Sequence, residues 1–154
     1  MKVKAFRYRF IYDSLSLLQL EYTDGSSTPL FGQGQTGRTT QDGDGSYLHA
    51  ARLDVNKTIT TVSVHYWKEM QPLGDQEVSW RITDRIAAIE FYDADGEVIA
   101  EMKSERSSEE EKKEEIQRII PKGHEIMGLR CCPSSDGIKN LSFLLWSLPK
   151  ESTS

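Results

Sequence analysis

Cysteine is almost missing from this chain. The two present in 154 residues, Cys131 and Cys132, are adjacent and so cannot tie distant segments together. That excludes a secreted disulfide framework and makes a reducing, cytoplasmic compartment the expectation. Long apolar runs are also missing. None approaches the roughly 20 residues that a membrane-spanning helix needs, and "MKVKAFRYRFIYD" at the N-terminus holds neither an apolar signal core nor a small-residue cleavage site. Export would require a leader upstream of Met1, and only then would the glycosylation sequons at Asn56 and Asn140 matter. Basic charge is in deficit. Nineteen Lys and Arg stand against 24 Asp and Glu, giving a net charge of -5, which argues against a nucleic-acid partner.

Recognisable catalytic and metal motifs are lacking too. The three histidines, His49, His65 and His124, show no ligand spacing between themselves or with the cysteines, so no metal or other cofactor is expected. "GQGQTG" at Gly32 to Gly37 has dinucleotide-loop form, but the "RTTQDGDGS" after it is a poor helix start and reads as a flexible loop between strands. "DGDG" at Asp42 to Gly45 lacks the spacing and terminal glutamate of a calcium hand. No nucleophile elbow is present, and Asp93 and Asp95 read as turn residues, not as an acid and base pair. The chain is therefore expected not to be an enzyme.

What the sequence does contain is alternation. Phe6, Tyr8, Phe10 and Tyr12 fall on one side of a strand with Arg7 and Arg9 on the other. An offset pattern then recurs, an aliphatic residue followed after two spacers by alternating apolar positions. It appears at Leu15-Leu18-Leu20-Tyr22, Ile59-Val62-Val64-Tyr66, Ile86-Ile89-Phe91, Ile126-Leu129-Cys131 and Ile138-Leu141-Phe143-Leu145. In three copies another apolar residue stands six positions upstream (Leu53, Trp80, Ile120), with "DVNKT", "RITDR" or "PKGHE" between as expected turns. Two strands run into acidic turns, "YTDG" at Tyr22 to Gly25 and "YDADG" at Tyr92 to Gly96. A strand, turn, strand unit repeated three times predicts a closed or layered all-β fold.

From about Leu15 to Trp146, "LQLEYTDGSSTPLFG", "ARLDVNKTITTVSV", "RIAAIEFYDADGEVIAEM" and "IPKGHEIMGLRCCPSSDGIKNLSFLLW" resemble the jacalin-related lectin family, in particular the jacalin-like domain of natterin and aerolysin-like proteins. The resemblance implies a single β-prism domain over residues 1–149, made of three four-stranded Greek-key sheets, with a generic β-sandwich as the competing architecture. It implies a non-enzymatic carbohydrate-binding module whose sugar site lies in the last hairpin. There Gly128 and Leu129 open the hairpin, Ile138 precedes the sugar-binding position, and Lys139 stands where the family has aspartate. An ammonium has three donors and no acceptor, so it does not replace a carboxylate. Asp136 either reaches into that place or serves the turn beside Gly137. The glycine-rich N-terminal strand of such lectins has no counterpart before Phe6, which leaves an open place for an upstream segment or for a strand of another chain. Gly128, Asp136, Gly137 and Lys139 are thus the candidate ligand-binding residues of a degenerate sugar site. The alternative is a β-prism serving as a protein-interaction or structural subunit, with the N-terminal edge strand as its contact.

In register, Cys131 should face the core as a small filler and Cys132 should point outward with a free thiol. The charged run "SERSSEEEKKEEIQ", 104–117, reads as an insertion outside the core, either a short solvated helix or a mobile connection. Its Ser107 and Ser108 precede acidic residues as an acid-directed kinase requires. Residues 150–154 read as a flexible tail.

Overall fold

The structure, a computed structural model, describes residues 2–11, 13–32, 48–75, 77–104, 112–134 and 137–147. All regular structure in it is strand: β1 (Val3–Ile11), β2 (Ser14–Tyr22), β3 (Phe31–Gly32), β4 (His49–Arg52), β5 (Thr61–Gly74), β6 (Glu77–Tyr92), β7 (Val98–Lys103), β8 (Lys113–Ile119), β9 (His124–Ser134) and β10 (Gly137–Ser147). They form three antiparallel sheets, ordered β3-β2-β1-β4, β7-β6-β5-β8 and β10-β9, none closed into a barrel. In each four-stranded sheet three consecutive strands are followed by a fourth that returns beside the first, which is Greek-key order. The third sheet has two strands among the described residues, where four were expected. No helix among the described residues is long and apolar enough to cross a membrane.

The recurring offset in the sequence has a physical origin. A step of three between inward-facing residues cannot occur in a regular strand, whose side chains repeat every two. It requires an extra residue, a β-bulge. Opposite Arg9 and Phe10, β2 advances from Leu17 to Leu15 with Ser16 extra; opposite His65 and Tyr66, β6 advances from Ala88 to Ile86 with Ala87 extra. β9 carries Met127 between the partners of Leu144 and Leu145, and β10 shifts register between Lys139 and Ser142, where Asn140 takes the left-handed conformation at φ 55°. The bulges keep Leu15 with Leu18, Ile86 with Ile89, Ile126 with Leu129, and Ile138 with Leu141, on the core side of each strand. Ile59 differs, because β5 begins only at Thr61 and the three-residue step there is the strand entry.

One apolar core joins the three sheets. Phe6 of β1 stacks on Phe91 of β6 with ring centroids 4.5 Å apart, and Phe143 of β10 meets both edge-on at 6.4 and 6.0 Å. Each ring comes from a different sheet, so this cluster sits where the sheets converge. Polar contacts from two aromatic side chains also link sheets. The Tyr22 hydroxyl donates to the Met127 carbonyl at 2.5 Å, and the Trp67 indole N–H donates to the Asp13 carbonyl at 2.6 Å. Met127 is the extra residue of its bulge, so Tyr22 supplies a partner to a carbonyl at a disrupted point of the ladder.

The acidic turns share one design. Asp24 accepts hydrogen bonds from the Ser26 amide and hydroxyl, and Asp93 accepts them from the amides of Asp95 and Glu97. Gly25 and Gly96 follow in the left-handed region at φ 90° and 81°, where glycine is the residue of least strain.

Several expectations are corrected. "RITDR" is no turn: Arg81 to Arg85 lie within β6, where Thr83 to Arg85 form a second irregularity, held by the Thr83 hydroxyl donating to the Trp67 carbonyl at 2.6 Å. The N-terminal strand is not an edge, because β1 is flanked by β2 and β4. Its alternating cations are paired, Lys4 and Arg7 with Glu21 and Lys2 with Glu125. Nor does all of 104–117 lie outside the fold. Lys113 to Gln117 belong to β8, which pairs with β5, and both Ser104 and Lys113 are buried. A run rich in Glu and Lys forms a strand here because β5 offers it a complete ladder from Thr61 to Trp67, a tertiary override of helical propensity. Tyr12, Gln33 to Gly37 of the glycine-rich loop, "DGDG" at 42–45, Ser107, Ser108 and the tail 150–154 lie outside the described residues.

Candidate functional site

The last hairpin separates the residues that sequence reasoning grouped. Gly137 opens β10 opposite Ser134, and Lys139 pairs with Cys132. Gly128 is not at the mouth of the hairpin but in mid-strand, opposite Leu144. It lies four residues down β9 from the partner of Lys139, on the order of 13 Å at strand rise. A methyl group on Gly128 would meet the Leu144 side chain at 3.3 Å, so its smallness serves packing. Asp136 lies outside the described residues. Lys139 places its Nζ 3.5 Å from Asp84 Oδ1, at the irregularity of β6, and the two line an open cleft with Glu69, Arg81 and Arg85. Cys131 is half-buried against the core and Cys132 is exposed, each as the register predicts. Burial, and then the neighbouring Cys132, pushes the Cys131 thiol above its ordinary range.

A second exposed feature is apolar. β8 covers β5 only as far as Trp67, and β7 covers β6 only from Ala88 onward. Beyond them β5 and β6 continue as a two-stranded ribbon with no further strand beside it among the described residues. On one face Lys68, Met70 and Pro72 lie opposite Ile82, Trp80 and Val78, while the other face holds the Glu69–Arg81 ion pair and the Gln71–Ser79 pair. Along β5 the apolar face prolongs Val62, Val64 and Tyr66, so the core side of the sheet runs out into solvent. Trp80 is 49% exposed and Met70 59%, and the Lys68 ammonium stands 5.9 Å from the Trp80 ring centroid.

This face continues into a cleft of about 310 Å³ between the second and third sheets. Tyr66 and Ile116 line both that cleft and the charged one beside Ile82, so they connect ribbon to cleft. Leu141 and Leu145 form the far wall. Among the described residues β8 and β10 each have one ladder neighbour, so each offers an unpaired edge. The sequence signal for this surface was the over-long alternation in β5 and β6. It reads as core until the lengths of the flanking strands are known.

The opposite face of the second sheet is polar. His65 Nε2 lies 2.8 Å from Glu90 Oε1 and 3.9 Å from Glu115 Oε2. The Tyr92 hydroxyl donates to Glu90 Oε1 at 3.0 Å, and the fully buried Ser63 hydroxyl donates to Glu115 Oε2. Burial alone would raise the Glu90 carboxyl, but hydrogen bonds from His65 and Tyr92 outweigh it and hold the group below the ordinary glutamate range. Burial, and then the Glu90 acceptor, pushes the Tyr92 phenol up to about 12. Histidine spacing could not reveal this cluster, because its partners are glutamates on neighbouring strands, 25 and 50 residues away.

The Tyr92 shift has a measurable consequence. A group whose folded pKa is raised contributes stability that is complete below its unfolded value, near 10, and is lost as pH rises through the folded value. In alkaline titration followed by phenolate absorbance, Tyr92 should ionise last, near pH 12, and stability should fall as pH rises from about 10 towards that value. Tyr92→Phe should remove the last-titrating component and leave the others in place.

No protein-family model, curated protein or solved structure matches this chain.

Proposed function

We propose that this chain is a non-enzymatic recognition module of jacalin-like β-prism type that binds protein, with the apolar strip from Trp80 and Ile82 through Tyr66 and Ile116 to Leu145 as its working surface. The observation that carries this reading is the course of that strip, from a ribbon that no described strand covers, past the charged cleft that Tyr66 and Ile116 line beside Ile82, into a cleft flanked by the edges of β8 and β10 that are unpaired among the described residues. Contiguous exposed apolar surface on this scale marks interaction sites. The occupant it fits is an extended segment of a partner, apolar at alternate positions, that adds to a sheet edge. Main-chain hydrogen bonds would give such a complex affinity, and the cleft would select side chains. The paired Lys139 and the cations of β1, bound to glutamates of this chain, leave the sugar-site loop and the N-terminal strand less suited to the task.

Sugar binding is the second reading, and one observation favours it: Asp84 brings a carboxylate beside Lys139, in an open cleft, although the position itself has lost its acid. Parallel screens of a displayed random-peptide library and a glycan array separate the two. Protein docking predicts enrichment of peptides with alternating apolar residues. Their affinity should fall roughly thirtyfold in Trp80→Ser, the effect of removing an interface hot spot, and should fall likewise in Ile116→Asp. Glycan binding abolished by Asp84→Asn, with selected peptides indifferent to both strip variants, would reverse the order of the readings.

A further inference from the structure

The geometry points to a divalent transition-metal site on the outer face of the second sheet, with His65 Nε2, a Glu90 carboxylate oxygen and a Glu115 carboxylate oxygen as ligands and zinc(II) as the ion. These three ligand atoms lie within 4.8 Å of one another. A tetrahedral zinc with bonds of about 2.0–2.2 Å holds its ligand atoms about 3.4 Å apart. The observed separations of 2.8 and 3.9 Å from His65 Nε2 bracket that value, so small side-chain adjustments admit the ion. Solvent supplies the fourth position, since Glu115 stands at the exposed side.

Three features make this more than a group of acids. The donors come from β5, β6 and β8, adjacent strands in one ladder, with His65 directly opposite both Ala88 and Glu115. The backbone therefore fixes their spacing. Each carboxylate is also held by a hydroxyl that donates to the oxygen facing His65, Tyr92 to Glu90 Oε1 and Ser63 to Glu115 Oε2, so both ligand oxygens are fixed in place as hydrogen-bonded carboxylates are in metal centres. Finally, one imidazole nitrogen cannot satisfy both acids. It lies 2.8 Å from Glu90 and 3.9 Å from Glu115, whose Oε2 accepts instead from Ser63 and from Gln117 at 3.4 Å. A cation between them would satisfy all three groups. The imidazole selects zinc and its neighbours over magnesium and calcium, which require oxygen ligands. This site lies on the face opposite the apolar strip and is independent of the docking reading.

Isothermal titration of chelator-treated protein with zinc chloride tests it, with cobalt(II) absorption as the second measurement. One equivalent should bind with micromolar affinity or tighter, and His65→Gln and Glu115→Gln should each weaken binding at least about tenfold, with Tyr92→Phe producing a loss of similar order. Cobalt should show ligand-field bands without a thiolate charge-transfer band. Cys132→Ser and His124→Ala should leave the affinity unchanged. Absence of binding, thiolate bands, or binding lost in Cys132→Ser but kept in Glu115→Gln would overturn the assignment. If His65→Gln fails the circular-dichroism check for folding, Glu115→Gln decides alone, because its side chain is 41% exposed on an edge strand.

Discussion

Phe91→Ala is expected to destabilise the protein by about 3–5 kcal/mol, the cost of emptying a ring from a packed core. Phe91 is fully buried, stacks on Phe6 and meets Phe143 edge-on, so the cavity would open where all three sheets converge and no single sheet could close it. In a chain of this length that corresponds to a fall in melting temperature of roughly 6–20 °C. Urea denaturation should show a lower midpoint at unchanged slope. Val98→Ala, at a residue 45% exposed on β7, is the control and should change stability by less than about 0.5 kcal/mol. A double-mutant cycle between Phe6→Leu and Phe91→Leu should return about 0.5–1.5 kcal/mol of coupling, the contribution of ring geometry beyond area. A Phe91→Ala cost no larger than that of the control would mean that the sheets do not share one core.

Strand identity was legible because alternation is a direct imprint of the pleat, and the core residues of β1, β2, β6, β9 and β10 follow from it. The three-residue offsets were legible as a pattern but not as bulges. Periodicity shows that two residues share a face, whereas a bulge is a relation to a partner strand that is absent from local sequence. That is why "RITDR" passed for a turn: Thr, Asp and flanking arginines suit a turn and also suit the widened segment that Thr83 stabilises within β6. Strand order was not legible at all. Nothing in "VKAFRYRFI" tells whether one neighbour or two will pair with it, and the burial of β1 between β2 and β4 is set by β4, about forty residues on.

The candidate sites divide in the same way. Lys139, Gly137 and Gly128 were found through what a resemblance spanning most of the chain implies for its last hairpin, and Lys139 does stand in an open cleft, though with Asp84, a residue from another sheet. The apolar strip and the His65 cluster depend on which strands are neighbours and where each one stops. Ile116 and Glu115, adjacent in a run that reads as a solvated insertion, point to opposite faces of β8 and enter different surfaces. Their roles appear only once β8 is laid against β5.

Gly32→Ala is the second large expected effect. Gly32 sits in β3 at φ 122°, a conformation open to glycine and strained for other residues. A methyl group there would lie 1.9 Å from the Ser16 carbonyl oxygen and 2.9 Å from its carbon, distances that backbone atoms cannot relieve by rotation. Ser16 is the extra residue of the β2 bulge, with its hydroxyl donating to the Ser14 carbonyl, so its backbone is held towards β3 and Leu17 pairs directly with Gly32. The bulge that keeps Leu15 and Leu18 both in the core is what brings the neighbouring strand too close for a side chain. Conformational strain of about 1–3 kcal/mol, together with the clash, puts the expected loss at roughly 2–4 kcal/mol. Hydrogen exchange should show where it falls: in Gly32→Ala the amides of Leu17 and Leu18 should lose protection as β3 detaches, while those of β5 and β6 keep it. If exchange rises evenly through all three sheets, β3 is not a separable edge and the bulge is held by something other than the space that Gly32 leaves.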